Sequence, residues 1–445
     1  MSGSTNAKTD TIVAIATPPG RGGIGVIRLS GPSAWAIAAH LAGKEPSERS
    51  VKYAYFKNAE GVTLDTGLTV GFKTPHSFTG EDVVEIQGHG GPVVQDVLLK
   101  ELVRLGARQA RAGEFSERAF LNNKIDLTQA EAIADLINSA TEQAALGALR
   151  SLKGEFSKRV NELLEQMVYL RAYVEAAIDF PEEEIDFLAD TVVQAKLDVL
   201  EQSVGDCLRQ AKQGAILTTG MKLVLAGKPN AGKSSLLNSL AGEETAIVTS
   251  IAGTTRDIVS QTIDIDGLPV HILDTAGLRE ASDEVERIGV ERARQAIEEA
   301  DHVLFLHDIN DDEEPLIIEY PDKTTLVYTK QDLATGKNNS VVQNDLLVSI
   351  KTEYGLEKLK EHIKMIAGYQ SGSETVFTAR RRHISELERA QTAVKRGRQQ
   401  LEENQAGELL ADELQQAQNA INEITGEFTS DDLLGKIFGS FCIGK

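Results

Sequence analysis

Cysteine is nearly absent. The 445 residues hold two, Cys207 and Cys442. Two distant thiols make no disulfide framework and point to a reducing compartment. Long apolar runs are missing too. None approaches the roughly 18 residues of a membrane span, and the first ten residues are polar and lack an apolar signal core. The expectation is a cytoplasmic protein with no membrane partner. Positive charge is short, with 46 Lys and Arg against 67 Asp and Glu, a formal net charge of −21. That balance argues against non-specific binding to nucleic acid or membranes and leaves room for a local basic site. What remains is ordinary: 41% hydrophobic and 25% charged residues. At roughly 150 residues per domain, the chain has room for about three cores.

The most informative stretch is Gly227-Lys-Pro-Asn-Ala-Gly-Lys-Ser-Ser235. An apolar run, Met221 to Ala226, precedes it and an apolar-periodic one, Leu236 to Leu240, follows. Strand, glycine loop and helix are the context that G-x-x-x-x-G-K-[ST] requires. Backbone N–H groups of Asn230, Ala231, Gly232, Lys233, Ser234 and Ser235 would curl around phosphate oxygens, an approach that glycine permits. Lys233 would reach the β- and γ-phosphates, and Ser234 would place its hydroxyl on Mg²⁺. Downstream, Asp274, Thr275, Ala276 and Gly277 read as D-x-x-G at a strand end, suited to the Mg²⁺ surroundings and the γ-phosphate. Between the two lies Gly253-Thr-Thr-Arg-Asp257, where a threonine could complete the Mg²⁺ shell around GTP. A guanine reader is expected at Thr329-Lys-Gln-Asp332. Asp332 could accept both guanine N–H groups, and Lys330 could lay its stem on the base. Thr329 stands where N-K-x-D has asparagine. The next element, Ser349, Ile350 and Lys351, departs from the usual S-A-x. Leu278 occupies the place of the glutamine that orients water in many GTPases, which leaves Glu286, Arg256 and Arg279 as alternatives for the catalytic group.

Read in order, the chain begins with about ten residues that look disordered. Strands are expected at Thr11 to Ala16, Ile24 to Leu29, Val51 to Phe56, Leu68 to Phe72 and Asp82 to Gln87, with an amphipathic helix from Val93 to Leu105. Gly20 to Gly25 lacks the spacing and the βαβ unit of a dinucleotide fingerprint. No proline interrupts Leu127 to Ala177, and apolar residues recur there at three and four, so long helices are expected. Glu182-Glu-Glu184 reads as a solvated loop. A helix from Val192 to Lys212 is expected to end at Gly214. Residues 218 to about 375 alternate strand and helix, a doubly wound α/β pattern. Thr378 to Glu403, Glu408 to Ile424 and Ser430 to Phe438 are helical again. The fold class is therefore multidomain, α/β plus all-α. Residues 1–122 form an N-terminal α+β domain. Residues 123–217 and 376–445 form one helical domain, into which residues 218–375 are inserted. Arg380-Arg-Arg-His383 is the most basic run; contact with nucleic-acid phosphates and a solvated helix start are both open to it. For Cys442, burial and a redox role on a mobile tail are both open.

Several segments together resemble one family. They are Thr17-Pro-Pro-Gly-Arg-Gly-Gly23, Ser77-Phe-Thr-Gly-Glu-Asp82, Gly113-Glu-Phe-Ser-Glu-Arg-Ala-Phe120, the nucleotide motifs, Ile424-Thr-Gly-Glu-Phe-Thr-Ser-Asp-Asp432 and Cys442-Ile-Gly-Lys445. The chain is similar over nearly its whole length to the MnmE (TrmE) family of tRNA modification GTPases. The resemblance implies a folate-binding-like N-terminal domain that dimerises, and a Ras-like G domain inserted in the helical one. It implies 5-formyl- or 5,10-methylene-tetrahydrofolate as cofactor, bound by Arg28, Glu85, Lys124 and Lys445. It implies a homodimer working with the flavoprotein MnmG (GidA), in a heterotetramer-type complex, on the wobble uridine of certain tRNAs. GTP would contact the loop Thr249, Ser250, Ile251, Ala252, Gly253, Thr254 and Thr255. Asn230, Thr249, Ile251 and Thr254 would hold K⁺ at the interface of two G domains. Ser234 and Thr255 would hold Mg²⁺, and Glu286 would orient water. A ribosome-assembly or signalling GTPase without group-transfer chemistry is the rival reading.

Overall fold

The computed structural model describes residues 10–179, 191–241, 259–273, 295–311, 321–334, 346–370, 377–426 and 431–444. The expected disordered start and the acidic run Glu182 to Glu184 lie outside them. The chain divides into two compact units, Met1–Ala134 with Asn422–Lys445, and Asp135–Ile421.

The first unit is built on a six-stranded sheet. Its strands are β1 (Ile12–Ile15), β2 (Gly22–Ser30), β3 (Lys52–Lys57), β4 (Thr63–Phe72), β5 (Val83–Gly90) and β6 (Arg108–Gln109). The order is β3-β4-β5-β2-β1-β6, antiparallel except for β1 with β6. Alternation sends Ile27, Leu29, Phe56, Val84 and Ile86 to one face. There α1 (Ala34–Ala42) and α2 (Pro92–Arg104) cover them with Ile37, Leu41, Leu98 and Leu102. Helix α1, Ala34-Trp-Ala-Ile-Ala-Ala-His-Leu-Ala42, was not expected from sequence. On the other face Phe115, from α3 (Glu114–Leu121), packs on Ile12 and Ala14. Leu127 and Ala130 open α4 (Leu127–Asn138) and meet Ile437, Phe438 and Phe441 of the C-terminal segment.

The second unit carries most of the remaining helices and a second sheet. The proline-free stretch folds as separate helices. After α4 come α5 (Glu142–Leu152), whose N-cap Thr141 accepts the Ala144 N–H, and α6 (Glu155–Asp179). Phe156, Val160, Leu163, Met167, Leu170 and Val174 are buried along one stripe of α6, each worth about 2 kcal/mol as apolar surface leaves water. Phe156 stacks on Phe377 with ring centroids 4.5 Å apart. Helix α7 (Thr191–Thr219) runs straight past Gly214, correcting the expected stop. A Cβ on Gly214 would lie 2.0 Å from the Phe377 carbonyl oxygen. That glycine serves close packing against an incoming chain, and the left-handed Gly220 (φ 65°) follows the helix instead. Buried Cys207 on α7 has its thiol pushed up to about 12 by burial, against the opposing charge of Arg159, so it stays protonated at neutral pH.

The second sheet comprises β7 (Met221–Gly227), β8 (Val259–Ile265), β9 (Leu268–Leu273), β10 (His302–Asp308), β11 (Thr324–Thr329) and β12 (Leu346–Leu347). Its order is β12-β11-β10-β7-β9-β8, parallel except for β8. Helices α8 (Lys233–Ala241) and α9 (Leu356–Ala367) pack on it. Of the expected helix Glu286 to Ala300, residues 295–300 are described, and 295–299 are helical. Entry and exit of this α/β segment are tied together. The Gln213 side chain accepts the Gln370 N–H at 3.0 Å and donates to the Gly368 carbonyl. Helices α10 (Arg381–Asn404) and α11 (Gly407–Thr425) return the chain to the helical layer, and α12 (Asp431–Gly439) ends it.

The basic run Arg380 to His383 is largely structural. Arg380 donates to the buried Asp135 carboxylate at 2.6 Å. The buried His383 ring takes the Arg380 N–H at 3.0 Å and lies 5.1 Å from the Phe156 ring. Arg381 faces solvent.

Candidate functional site

Strand β7 lies inside the second sheet between β9 and β10, so the loop after it opens at the carboxyl ends of parallel strands, where ligands bind in such folds. Gly227 (φ 138°) must be glycine, because a Cβ there would sit 2.3 Å from the Leu306 carbonyl oxygen. Asn230 (φ 63°) and Gly232 (φ 96°) are both left-handed and curl the loop into the concave turn that an anion fills. Lys233 arches back and donates to the carbonyls of Gly227 (2.6 Å) and Lys228 (2.9 Å). Burial lowers its pKa. Ser234 and Ser235 are exposed on the first turn of α8, where the helix dipole favours negative charge. Lys228 is paired with Asp311 at 2.7 Å.

The residues expected to read guanine converge on the same loop. Thr329, the last residue of β11, is fully buried; its hydroxyl donates to the Ala231 carbonyl at 2.9 Å and has the His307 carbonyl at 3.3 Å. Lys330 adopts φ 60° and donates to Asp308 Oδ2 at 2.6 Å. Burial pushes the Asp308 carboxyl up, but the Lys330 ammonium and the Asn310 N–H outweigh it and hold it below its ordinary range. Asp332 is exposed; its Oδ1 accepts from the buried Ser349 hydroxyl at 2.7 Å. A carboxylate held by one oxygen is aimed, and this one can accept two N–H groups from a planar base. Ile350 is half-buried and reaches toward Gly232, and Lys351 is exposed. Asn230 to Ser235, Thr329 to Asp332 and Ser349 to Lys351 therefore meet. Thr249 to Thr255, Asp274 to Gly277, Glu286, Arg256 and Arg279 lie outside the described residues. Asp308 and Asp311 were missed from sequence. The available signal was two acids, one ending and one just past a buried strand running beside the phosphate loop.

In the first unit, Arg28 on β2 faces Glu85 on β5 in register, with Nη2 and Nε 2.8 and 3.0 Å from Oε1. The guanidinium carbon lies 5.8 Å from the Phe78 ring centroid and 5.9 Å from that of Phe115. Lys124 is exposed and donates to the Pro75 carbonyl at 2.9 Å, so the loop carrying Phe78 connects it to Arg28. The C-terminal segment lies on the same unit. Gly113 N–H donates to the Cys442 carbonyl at 3.3 Å, Ile443 bridges Ala112, and Gly444 (φ 97°) packs on Ile15. Cys442 is exposed, so of the two readings burial does not hold. Lys445 lies outside the described residues.

Two family models match the chain, "GTP-binding protein TrmE N-terminus" over residues 11–124 and "MnmE helical domain" over residues 127–442. A tRNA modification GTPase MnmE of Saccharophagus degradans is 55% identical over 456 residues, covering 99% of this chain and 100% of that protein. One from Pasteurella multocida is 56% identical over 451 residues, covering 98% and 100%. With the phosphate loop and the Asp332 carboxylate in place, and with identity of this degree from end to end, the chain belongs to the MnmE family of tRNA modification GTPases.

Proposed function

We propose that this chain hydrolyses GTP and, with the flavoprotein MnmG (GidA) in a heterotetramer-type complex, adds a (carboxymethyl)aminomethyl group to C5 of the wobble uridine of certain tRNAs. The observation that carries this reading is the presence in one chain of two sites, the guanine-nucleotide loop and the Arg28–Glu85 pair flanked by Phe78 and Phe115. The first suits GTP. The second offers a charge pair and two ring faces, which suit the flat, polar pteridine of a 5-formyl- or 5,10-methylene-tetrahydrofolate. Lys124 and Lys445 complete that site.

Among the described residues no group of three His, Cys, Asp or Glu could hold a metal. Mg²⁺ is assigned to hydroxyl and phosphate oxygens, with Ser234 and Thr255 as protein donors, a hard-oxygen set that suits it. K⁺ is assigned to Asn230, Thr249, Ile251 and Thr254. A cation there supplies the charge an arginine supplies elsewhere, and Glu286 orients the water in place of the glutamine that Leu278 replaces. A homodimer is supported by an exposed apolar edge: Tyr53 (53% exposed) and Tyr55 (54%) on β3 lie beside Leu68 (37%) on β4. The setting is cytoplasmic, where tRNA and a reduced Cys207 belong.

The test is the GTPase rate in KCl against NaCl at equal ionic strength over a range of protein concentration, with a tetrahydrofolate titration beside it. K⁺ stimulation that grows with concentration, and saturable folate binding, are expected. Equal rates in both salts would remove the cation-bridged dimer, and no binding at millimolar folate would remove the one-carbon chemistry.

A further inference from the structure

The turn between β8 and β9 is held from outside the hairpin. Asp266 (φ 51°) and Gly267 (φ 94°) are both left-handed, as a two-residue turn joining twisted strands requires. The Gly267 carbonyl accepts the buried Thr141 hydroxyl at 3.0 Å. The Asp266 carboxylate accepts the buried Lys364 ammonium of α9 at 2.7 Å. The Asp266 carbonyl accepts the hydroxyl of Tyr369, two residues past α9, at 3.4 Å. The contact is close, since a Cβ on Gly267 would lie 2.6 Å from Gln143 Cγ and 2.7 Å from the Tyr369 hydroxyl. Thr141 is also the N-cap of α5, where the same oxygen takes the Ala144 N–H at 3.2 Å. One hydroxyl therefore joins the hairpin to the first turn of α5. Ala144 in that turn packs on Leu217 of α7 and on Tyr369.

His271 on β9 ties both strands to the end of α7. A carbonyl only accepts, so His271 Nε2–H donates to the Thr219 carbonyl at 3.1 Å, and Nδ1 takes the Thr262 hydroxyl of β8 at 2.9 Å. The open end of the hairpin runs into the segments expected to sense the γ-phosphate. Leu273 ends β9, and Asp274 of Asp274-Thr-Ala-Gly277 is the next residue. Asp257 of Gly253-Thr-Thr-Arg-Asp257 stands two residues before Val259, where β8 starts. GTPases order segments of this kind around the γ-phosphate and release them on hydrolysis. The two strands are thus a stiff piece about 20 Å long at the strand rise. A turn that only reversed the chain would face solvent and need none of the bonds at Asp266 and Gly267.

We infer that the β8–β9 hairpin couples the nucleotide site to the helical layer: it pivots where His271 meets Thr219 and carries a change at the γ-phosphate to the Thr141 joint. The start of α5 thereby registers which guanine nucleotide is bound. The joint has two states, the Thr141 hydroxyl bonded to Gly267 and the same hydroxyl left to cap α5 alone. By linkage, whatever fixes the start of α5 changes the relative affinity for GTP and GDP by the same factor. This rests on the guanine-nucleotide reading above.

The test uses the full chain. Amide hydrogen exchange is followed in wild type loaded with GDP or with the β,γ-imido analogue of GTP. The first-turn amides of α5, Ala144 on the Thr141 hydroxyl and Ala145 on the Thr141 carbonyl, should exchange at rates about fivefold or more apart in the two states. Affinities for GDP and the analogue are then measured in Thr141→Val. Their ratio should move about fivefold or more from that of wild type, whereas loss of a merely structural contact lowers both affinities alike. Thr141→Ser keeps the hydroxyl and should restore the ratio. Gly267→Ala pushes the turn off α5, leaves the cap in place, and should move the ratio as Thr141→Val does. Exchange at the start of α5 that is the same with either nucleotide, or a ratio within about twofold of wild type in both Thr141→Val and Gly267→Ala, overturns the inference and leaves GTP binding standing. A wild-type chain that binds neither nucleotide overturns the guanine-nucleotide reading first and the coupling with it.

Discussion

The hydroxyl of Thr329 lies 2.9 Å from the carbonyl oxygen of Ala231, 98 residues earlier, and joins the base-reading end of β11 to the phosphate loop. The bond is fully buried. Thr329→Val keeps the shape and removes the donor, leaving a buried carbonyl without that partner at about 1–2 kcal/mol. GDP affinity, read with a fluorescent guanine nucleotide, should fall about tenfold.

Asp332 is aimed by Ser349 at 2.7 Å. Asp332→Asn turns one acceptor into a donor, which mismatches guanine and matches xanthine, whose C2 carries a carbonyl. Competition binding should show preference passing from GTP to XTP. Ser349→Ala should weaken GTP binding without that switch.

Gly214→Ala sets two effects against each other. Alanine favours a helix interior over glycine by about 1 kcal/mol. Its methyl would meet the Phe377 carbonyl at 2.0 Å, and overpacking costs about 1–3 kcal/mol. Net destabilisation is expected, seen as a lower urea midpoint. An unchanged or higher midpoint would mean that the Phe377 segment moves aside freely.

Buried Glu114 sits among Arg108 (2.6 Å), Arg118 (3.2 Å) and the Arg111 N–H (2.8 Å). Burial raises its pKa, and these partners outweigh burial and hold it below the ordinary glutamate range. A depressed carboxyl gives stability that is complete above its unfolded pKa and is lost as pH falls through the folded one. Glu114→Gln should cost about 2 kcal/mol near neutral pH, and the difference from wild type should narrow below about pH 4.

Most of the elements were legible because burial imposes a period on the sequence. The α6 stripe from Phe156 to Val174 and the alternation of β3 follow directly from which face is covered. The phosphate loop was legible because its backbone conformation restricts residue choice. Gly214 misled because local sequence does not distinguish a glycine that ends a helix from one that admits a distant chain. The Lys228–Asp311 and Lys330–Asp308 pairs were invisible for the same reason, since strand order, and not sequence distance, makes them neighbours. Thr329 read as a departure from a pattern; its hydroxyl turns out to tie the pattern together.

The Gln213 clasp bears on how the chain finds its fold. Helices α7 and α10 pack in one layer, yet the α/β segment separates them, and the bond from Gln370 to Gln213 spans 157 residues. Bringing the ends of so long a flexible loop together carries a large closure entropy. If the inserted segment folds first, with its two ends already side by side, the loop left to close shrinks to a few residues. The saving is about 3 kcal/mol of closure free energy, so the helical layer assembles on a short tether. Order of folding is thus written into where the insertion begins and ends.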